Sequence, residues 1–480
     1  MSSEWIPLRW PCGPIDEEHA KDSPAVRKAL IAWLNPKALS FLEDGPVNAI
    51  VVTWAAGSSN DSPQQKALQP LLAEAKKRGI AVIGRITGKI SDVPTTGLSA
   101  VISDSPVAGN VKTILAVKTS DASSVTSAGI AISDASWPRI PTQWRTRSGD
   151  RSPGTEAGPT GAPWIEANGW RCALAAAKAP GKDIWVIAEP PEDVVGYRPP
   201  HYALAVADSA AYGATWIIAF DADTRSALSE GGGKDSWKAV CDAVQFFRAH
   251  KSWLEQRDVA RLGIVSDFAG ANRFLSQEIL NLASRRYLPY HVIDLARLSN
   301  ASLNGMKAVL WVGQKAPEAN AKAVLSKFIE NGGLLIAPAS ASSLVTGNPT
   351  GNFENRFDYY PQGKGKIALA TKPWSDPWLL AADTHLLLGR KLDVIRTFNA
   401  GSCNVRYTSG PKSAVAQVVN YTARPFGYPA TIYVAHPYRT ARWSTLSGID
   451  NQPLELKGKG EGVEVYLPEF VSYAAIEFGG

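Results

Sequence analysis

Residues 169–193 read GWRCALAAAKAPGKDIWVIAEPPED. The first ten residues are alanine-rich and close a helix that fits best over 165–178. A short turn follows. DIWVIA (183–188) is then an apolar strand that stops at Glu189, with Pro190 and Pro191 behind it. Proline removes an amide donor and restricts the residue before it, so neither helix nor strand continues. The unit is a helix feeding a buried strand whose tip carries a carboxylate.

The same unit recurs on both sides. Strands are expected at 5–10, 48–54, 80–85, 98–103, 112–118, 129–133, 183–188 and 215–220. Helices fit at 24–42, 63–78, 165–178, 201–212 and 236–256. The helix PQQKALQPLLAEAKKRG has a proline near its start and Gly79 at its end, both boundary signals. Runs of Val and Ile without alternation suit a parallel sheet covered on both faces. Eight such strands in about 250 residues match a (β/α)8 barrel. The fifth and sixth strands lack clear helices after them, and a doubly wound open sheet is the competing arrangement.

A second α/β pattern begins at Arg261, with RLGIVSD, NRFLSQEILNLASRR, YHVIDL, MKAVLWVG, a helix at 317–331 and GGLLIAPAS. It fits a flavodoxin-like or amidotransferase-like unit over 259–408. From 409 the runs SAVAQVVNYT, PATIYVAHP, GVEVYLP and SYAAIEFG are short and separated by turn residues, the texture of a small β-sandwich over 409–480. The barrel takes 1–258. A chain of 480 residues has room for this division.

Composition narrows the function classes. The chain is 45% hydrophobic and 20% charged, as globular proteins are. A net charge of +6 without a Lys/Arg block does not suit a nucleic-acid arm. Cys12, Cys172, Cys241 and Cys403 are far apart and show no ligand spacing, which argues against zinc and against a disulfide framework. No metal or cofactor is expected. No apolar stretch reaches the ~18 residues of a membrane span, and the N-terminus shows no signal peptide. A soluble protein is expected, cytoplasmic or secreted with its leader removed. Phosphate loops, nucleophile elbows, dinucleotide turns and H-E-x-x-H are missing.

Catalytic residues of such barrels sit at the C-terminal ends of the strands. Those ends carry Arg9, Trp10 and Cys12; Trp54; Arg85; Asp104; Asp134, with Trp137 and Arg139 after it; Glu189; and Asp221 with Asp223. Carboxylates supply acid, base and nucleophile, and aromatic faces stack on sugar rings. Acidic residues at strand ends also cap helices, and Asp104 in SDSP fits that role as well. The loop SWPRIPTQWRTRSGDRSPGTEAGPTGAPWIEANGW (136–170) holds Trp137, Trp144, Trp164 and Trp170 beside Arg139, Arg145, Arg147 and Arg151, and ends on Glu166 and Asn168. Long loops in compact domains are usually functional or disordered, and this many tryptophans speak against disorder. His201 opens a helix and is either an acid/base partner or a packed helix-start residue.

The domain order, barrel then amidotransferase-like unit then β domain, resembles the family 42 β-galactosidases. The resemblance implies an acid/base after strand four and a nucleophile after strand seven, positions held here by Asp104 and Glu189. That family has Asn-Glu at strand four where this chain has Ser103-Asp104, so Asp134 stays open as a substitute. It also implies an inactive middle domain, in keeping with the lack of cysteine in 261–345. The expectation is an exo-acting glycoside hydrolase, with Trp10, Trp54, Arg85, Trp137, Arg139, Trp164, Asn168, His201 and Asp221 around the sugar. The arginine-rich loop suggests an acidic sugar, a sialic or uronic acid, as in a sialidase. A neutral sugar, as for a β-galactosidase, and a non-catalytic carbohydrate-binding or scaffold barrel are the alternatives. Carbohydrate is the expected partner, with no nucleic acid or membrane, and self-association through the middle domain is an open expectation.

Overall fold

The computed structural model describes residues 5–10, 28, 31–55, 61–87, 97–105, 107, 111–124, 129–141, 145–146, 163–191, 194–425 and 429–480. The chain forms two compact units, one of residues 1–251 with 420–424, the other of 252–419 with 425–480.

The first unit is built on eight parallel strands in sequence order: β1 (Pro7–Arg9), β2 (Ala49–Ala55), β3 (Ala81–Thr87), β4 (Ala100–Ser103), β5 (Lys112–Val117), β6 (Gly129–Ile132), β7 (Asp183–Val186) and β8 (Thr215–Trp216). The sheet closes on itself. Leu8 bridges Ile218 in parallel, with Arg9 N–H on the Ile218 carbonyl at 2.7 Å and Ile218 N–H on the Pro7 carbonyl at 2.9 Å. Closure rules out the open sheet.

The register gives the stagger. Arg9 pairs with Val51, Val51 with Ile83, Ile83 with Ala100, and Ala100 with Lys112, all at one level. The path climbs two residues to Ile114, which meets Gly129 and then Asp183, and two more to Trp185, which meets Thr215. Three residues beyond Thr215, Ile218 bridges Leu8, one residue before the starting Arg9, which makes the total stagger eight. A shear of eight on eight strands is the (β/α)8 geometry.

Side chains alternate across a strand, so this register also sorts residues by face. Ala49, Val51, Ile83, Ala100, Ile102, Ile114, Ala131, Trp185, Ile187 and Ile217 form one buried cluster, the barrel interior. The even-numbered residues of β2 and β3 point out toward the helices. Helices Asp61–Lys77, Gly169–Lys178, Pro199–Ala210, Ala222–Ser229 and Lys234–Ala249 lie between or after strands. β5 is followed by a 3-10 turn, Thr119–Ser124, in place of an α-helix. The expected helix 24–42 is described only in part, as helical residues 31–34 and a 3-10 helix, Pro36–Leu42. The helix expected from 201 starts at Pro199 because both prolines occupy its first turn, where no amide donor is needed.

The second unit contains a seven-stranded sheet in the order 290–294, 262–266, 308–311, 334–337, 365–370, 357–362, 351–353. The first five strands are parallel and carry the 2-1-3-4-5 order of flavodoxin-like sheets. The remaining residues form a sandwich. A six-stranded sheet (257–258, 403–409, 413–420, 473–479, 440–445, 452–454) faces a four-stranded one (395–398, 430–434, 462–467, 456–459). Ile395, Ile432, Val434 and Val465 of the smaller sheet share a core with Ala416, Val418, Trp443 and Ile476 of the larger. The sandwich draws on strands ahead of residue 409, including IRTF (395–398) and the two-residue strand Arg257–Asp258. Their brevity hides them in the sequence.

Candidate functional site

Continuing each interior row past the apolar cluster reaches the C-terminal mouth of the barrel. β1 offers Arg9 two residues beyond Pro7. β2 offers Thr53 beyond Val51, β3 Arg85 beyond Ile83, and the β4 row Asp104 beyond Ile102. The β7 row runs Trp185, Ile187, Glu189. The strand register therefore places Arg9, Thr53, Arg85, Asp104 and Glu189 around one opening. Ser133 and Lys118 share this parity and are exposed.

Three of these groups meet. Arg85 Nη1 donates to Glu189 Oε1 at 2.7 Å, and Arg9 Nε lies 3.8 Å from the same oxygen. Arg9 is itself held, by Nη1 on the Val51 carbonyl at 3.2 Å and Nη2 on Thr53 Oγ1. Among the described residues, Glu189 Oε2 takes no hydrogen bond. The backbone on either side of Glu189 is pinned. Trp216 Nε1 donates to the Ala188 carbonyl at 2.9 Å and the Tyr197 hydroxyl to the Pro191 carbonyl at 3.0 Å. A half-exposed carboxylate is thus fixed by its neighbours' backbone and by one oriented arginine. Asp104 is exposed and takes no hydrogen bond from a described residue.

Other expected site residues are engaged elsewhere. Trp10 and Trp54 are buried on the outer face. Trp10 Nε1 donates to the Trp33 carbonyl at 2.9 Å, and Trp54 lies across Gly84, where an added Cβ would sit 3.2 Å from the Trp54 Cβ. Asp134 has the parity opposite to Ser133, and its Oδ1 accepts from the Thr119 N–H and hydroxyl at 2.9 and 2.7 Å, fixing the 3-10 turn after β5. Asp221 caps helix Ala222–Ser229, accepting from the Asp223 and Thr224 amides and from the Tyr202 and Thr224 hydroxyls. His201 is buried, and its Nδ1 accepts the Arg198 N–H at 3.0 Å. Burial, with Arg198 and Arg424 nearby, pushes its pKa down to about 3.

The loop after β6 is bonded into the structure where it is described. Arg139 Nε pairs with Glu166 Oε2 at 2.7 Å, and the two backbones bridge. Asn168 joins Ser136 and Asp208 by three side-chain and backbone contacts of 2.7–2.9 Å. Trp137 is buried edge-on against Tyr197, Tyr202 and Trp216. Trp170 is buried, with the Arg171 guanidinium 4.3 Å above its ring. Trp164 is 51% exposed, an open aromatic face. Cys12, Trp144, Arg147 and Arg151 lie outside the described residues. Among the described residues no group of three His, Cys, Asp or Glu could hold a metal, and no helix is long and apolar enough to cross a membrane.

No protein-family model matches the chain, and no curated protein sequence does. Solved structures do. A β-galactosidase from the Antarctic haloarchaeon Halorubrum lacusprofundi is similar at a TM-score of 0.50, with 10% identity over 99% of this chain and 98% of that one. An α-L-fucosidase isoenzyme from Paenibacillus thiaminolyticus reaches 0.49, with 9% identity over 95% and 81% of the two chains. A GH42 β-galactosidase from G. stearothermophilus reaches 0.47, with 12% identity over 88% and 67%. At such identities the haloarchaeal likeness speaks to fold, a barrel with further domains over the whole chain.

Parity was the signal available in the sequence for the mouth. Counting in twos from Val51 and Ile83 selects Thr53 and Arg85, and rejects Trp54.

Proposed function

We propose that this protein is a glycoside hydrolase acting at the C-terminal mouth of its barrel, with Glu189 as nucleophile or base and Asp104 as proton donor. The observation that carries the reading is the held carboxylate: Glu189 keeps one oxygen on Arg85 and leaves the other unbonded to described residues. In such a reaction the free oxygen attacks the anomeric carbon or activates water, while the acid protonates the departing oxygen. Asp104, exposed and without a described partner, is the second mouth carboxylate among the described residues and suits that step. Trp164 offers a ring face to the sugar. The whole-chain similarity to a haloarchaeal β-galactosidase supports the class and a neutral terminal sugar. Arg85 and Arg139 each already hold a protein carboxylate, which leaves neither free to grip a sugar carboxylate in this arrangement. Asp134, occupied by Thr119, is assigned to structure.

The 2.7 Å Arg85–Glu189 pair also favours a second reading, a non-catalytic barrel whose mouth is closed by ion pairs. A panel of 4-nitrophenyl and 4-methylumbelliferyl glycosides, with β-galactoside, α-fucoside and a sialoside included, separates the two. Turnover of a neutral glycoside that Glu189→Gln abolishes supports the hydrolase. Absence of turnover on every member supports the closed barrel.

A further inference from the structure

The smaller sheet of the sandwich shows one face to solvent. Paired residues on neighbouring strands share a face, so the register lists what that face carries. Phe398 pairs with Thr431 and Thr431 with Tyr466; Arg396 pairs with Tyr433, Tyr433 with Glu464 and Glu464 with Lys457. The opposite face carries Ile395, Ile432, Val434, Val463 and Val465, which are core. A solvated sheet face is ordinarily polar. Here Phe398 and Tyr466 are 46% and 48% exposed.

Cations stand beside these rings. Lys457 Nζ lies 4.6 Å from the Tyr466 ring centroid and Lys459 Nζ 5.9 Å from that of Phe398. Lysine stems often cover apolar surface, yet about half of each ring stays open. Lys459 is paired with Glu464 at 2.6 Å and Arg396 with Asp393 at 3.0 Å. Lys457 has no carboxylate partner among the described residues, so one cation of the face is uncompensated.

We propose that this sheet face binds an acidic polysaccharide, its sugar rings lying on Phe398 and Tyr466 and its carboxylate or sulfate groups meeting Lys457. Flat, amphipathic sugar faces suit exposed rings on rigid strands, and the uncompensated ammonium is complementary to an acid group. A neutral polysaccharide leaves Lys457 unmatched. An apolar protein partner leaves it to be desolvated without a counter-charge. The choice of a sugar as ligand rests on the hydrolase reading of the barrel, but the site is separate from the barrel mouth and is tested by binding alone.

The test is electrophoresis of the full chain through native gels containing polygalacturonate, chondroitin sulfate or neutral hydroxyethylcellulose. Retardation is expected in the two acidic gels only. Phe398→Ala with Tyr466→Ala should weaken it about tenfold, and Lys457→Ala should weaken it in the same gels. Glu189→Gln, which alters only the barrel, should be retarded as much as wild type when each is compared with its own mobility in a gel without polymer. A failed hydrolase reading thus leaves this result standing, and the reverse holds too. Retardation unchanged by the ring substitutions marks non-specific binding by a basic protein and overturns the proposal. So does equal retardation by the neutral polymer, or no retardation at all. A dimer in sedimentation that the ring substitutions dissolve would assign the face to a second copy instead. Should the double variant melt early, Lys457→Glu, at an exposed position, carries the test by itself.

Discussion

Asn168 gives its backbone N–H and its side-chain amide to the carboxylate of Asp208, which is wholly buried on helix Pro199–Ala210 and also accepts the Tyr421 hydroxyl. Burial pushes the Asp208 pKa up to about 6, against the lowering pull of those donors and of Arg171. The folded chain therefore holds this proton to higher pH than the unfolded chain does. Stability from this group is full below about pH 4 and is lost as pH rises through 6. The shift corresponds to roughly 3 kcal/mol at most. Asp208→Asn removes the titration. Its melting temperature relative to wild type should rise between pH 4.5 and pH 7. Parallel curves for the two proteins over that range would exclude a raised Asp208.

His201 works in the other sense. Its folded pKa is depressed to about 3, so it is neutral in the fold and charges readily when unfolded. Stability tied to it is present above about pH 6.5 and is lost as pH falls toward 3. His201→Gln should destabilise by about 0.5–2 kcal/mol at pH 8, the range of a lost helix-start bond. The deficit should shrink at pH 5, where wild type carries the cost of a buried neutral imidazole. A deficit that is constant from pH 8 to pH 5 would assign His201 to packing alone.

Arg85 orients Glu189 across the barrel mouth. Its ion pair is partly exposed, so the stability at stake is about 0.2–1 kcal/mol. If the carboxylate is the nucleophile or base, Arg85→Ala should lower kcat by about tenfold or more with KM little changed, since only the reacting geometry suffers. Glu189→Gln should cost about 10² or more. A loss confined to KM would place Arg85 on the substrate instead.

Asp221 sits at a strand end like a catalytic residue but bonds like a cap. It accepts two backbone amides and two hydroxyls, Tyr202 and Thr224. Asp221→Ala should destabilise by about 2–4 kcal/mol, a lost cap plus buried hydroxyls left unpaired. Turnover per folded molecule should hold. A stable Asp221→Ala protein with a raised KM would return this residue to the sugar.

The barrel was legible because its strands are short Val/Ile runs; β7 ends at Val186, ahead of the expected 188, and it is the parity of Trp185 and Ile187 that carries on to Glu189. Face was harder. Ser133 and Asp134 are neighbours at one strand end, and a single step of alternation decides that the serine shares the mouth's parity while the aspartate ties down Thr119. The tryptophans misled for a similar reason. Trp10 and Trp54 stand at strand ends, but their parity turns them outward, and the helix layer buries them. The Asn168–Asp208 bonds join residues forty apart, and nothing local announces them. Asp221 was ambiguous between cap and ligand, and only the amides of Asp223 and Thr224 decide it.

Residues 420–424 belong to the barrel unit although more than 160 residues separate them from its last helix, Lys234–Ala249. Through this short return the Tyr421 hydroxyl reaches Asp208. The barrel is therefore not a cassette that can be cut from the gene at residue 251. Such a piece would leave the buried Asp208 carboxylate one donor short, and recombination that exchanged the C-terminal half would carry away a buried tyrosine of the barrel unit. Inheritance of the two halves is coupled by one tyrosine.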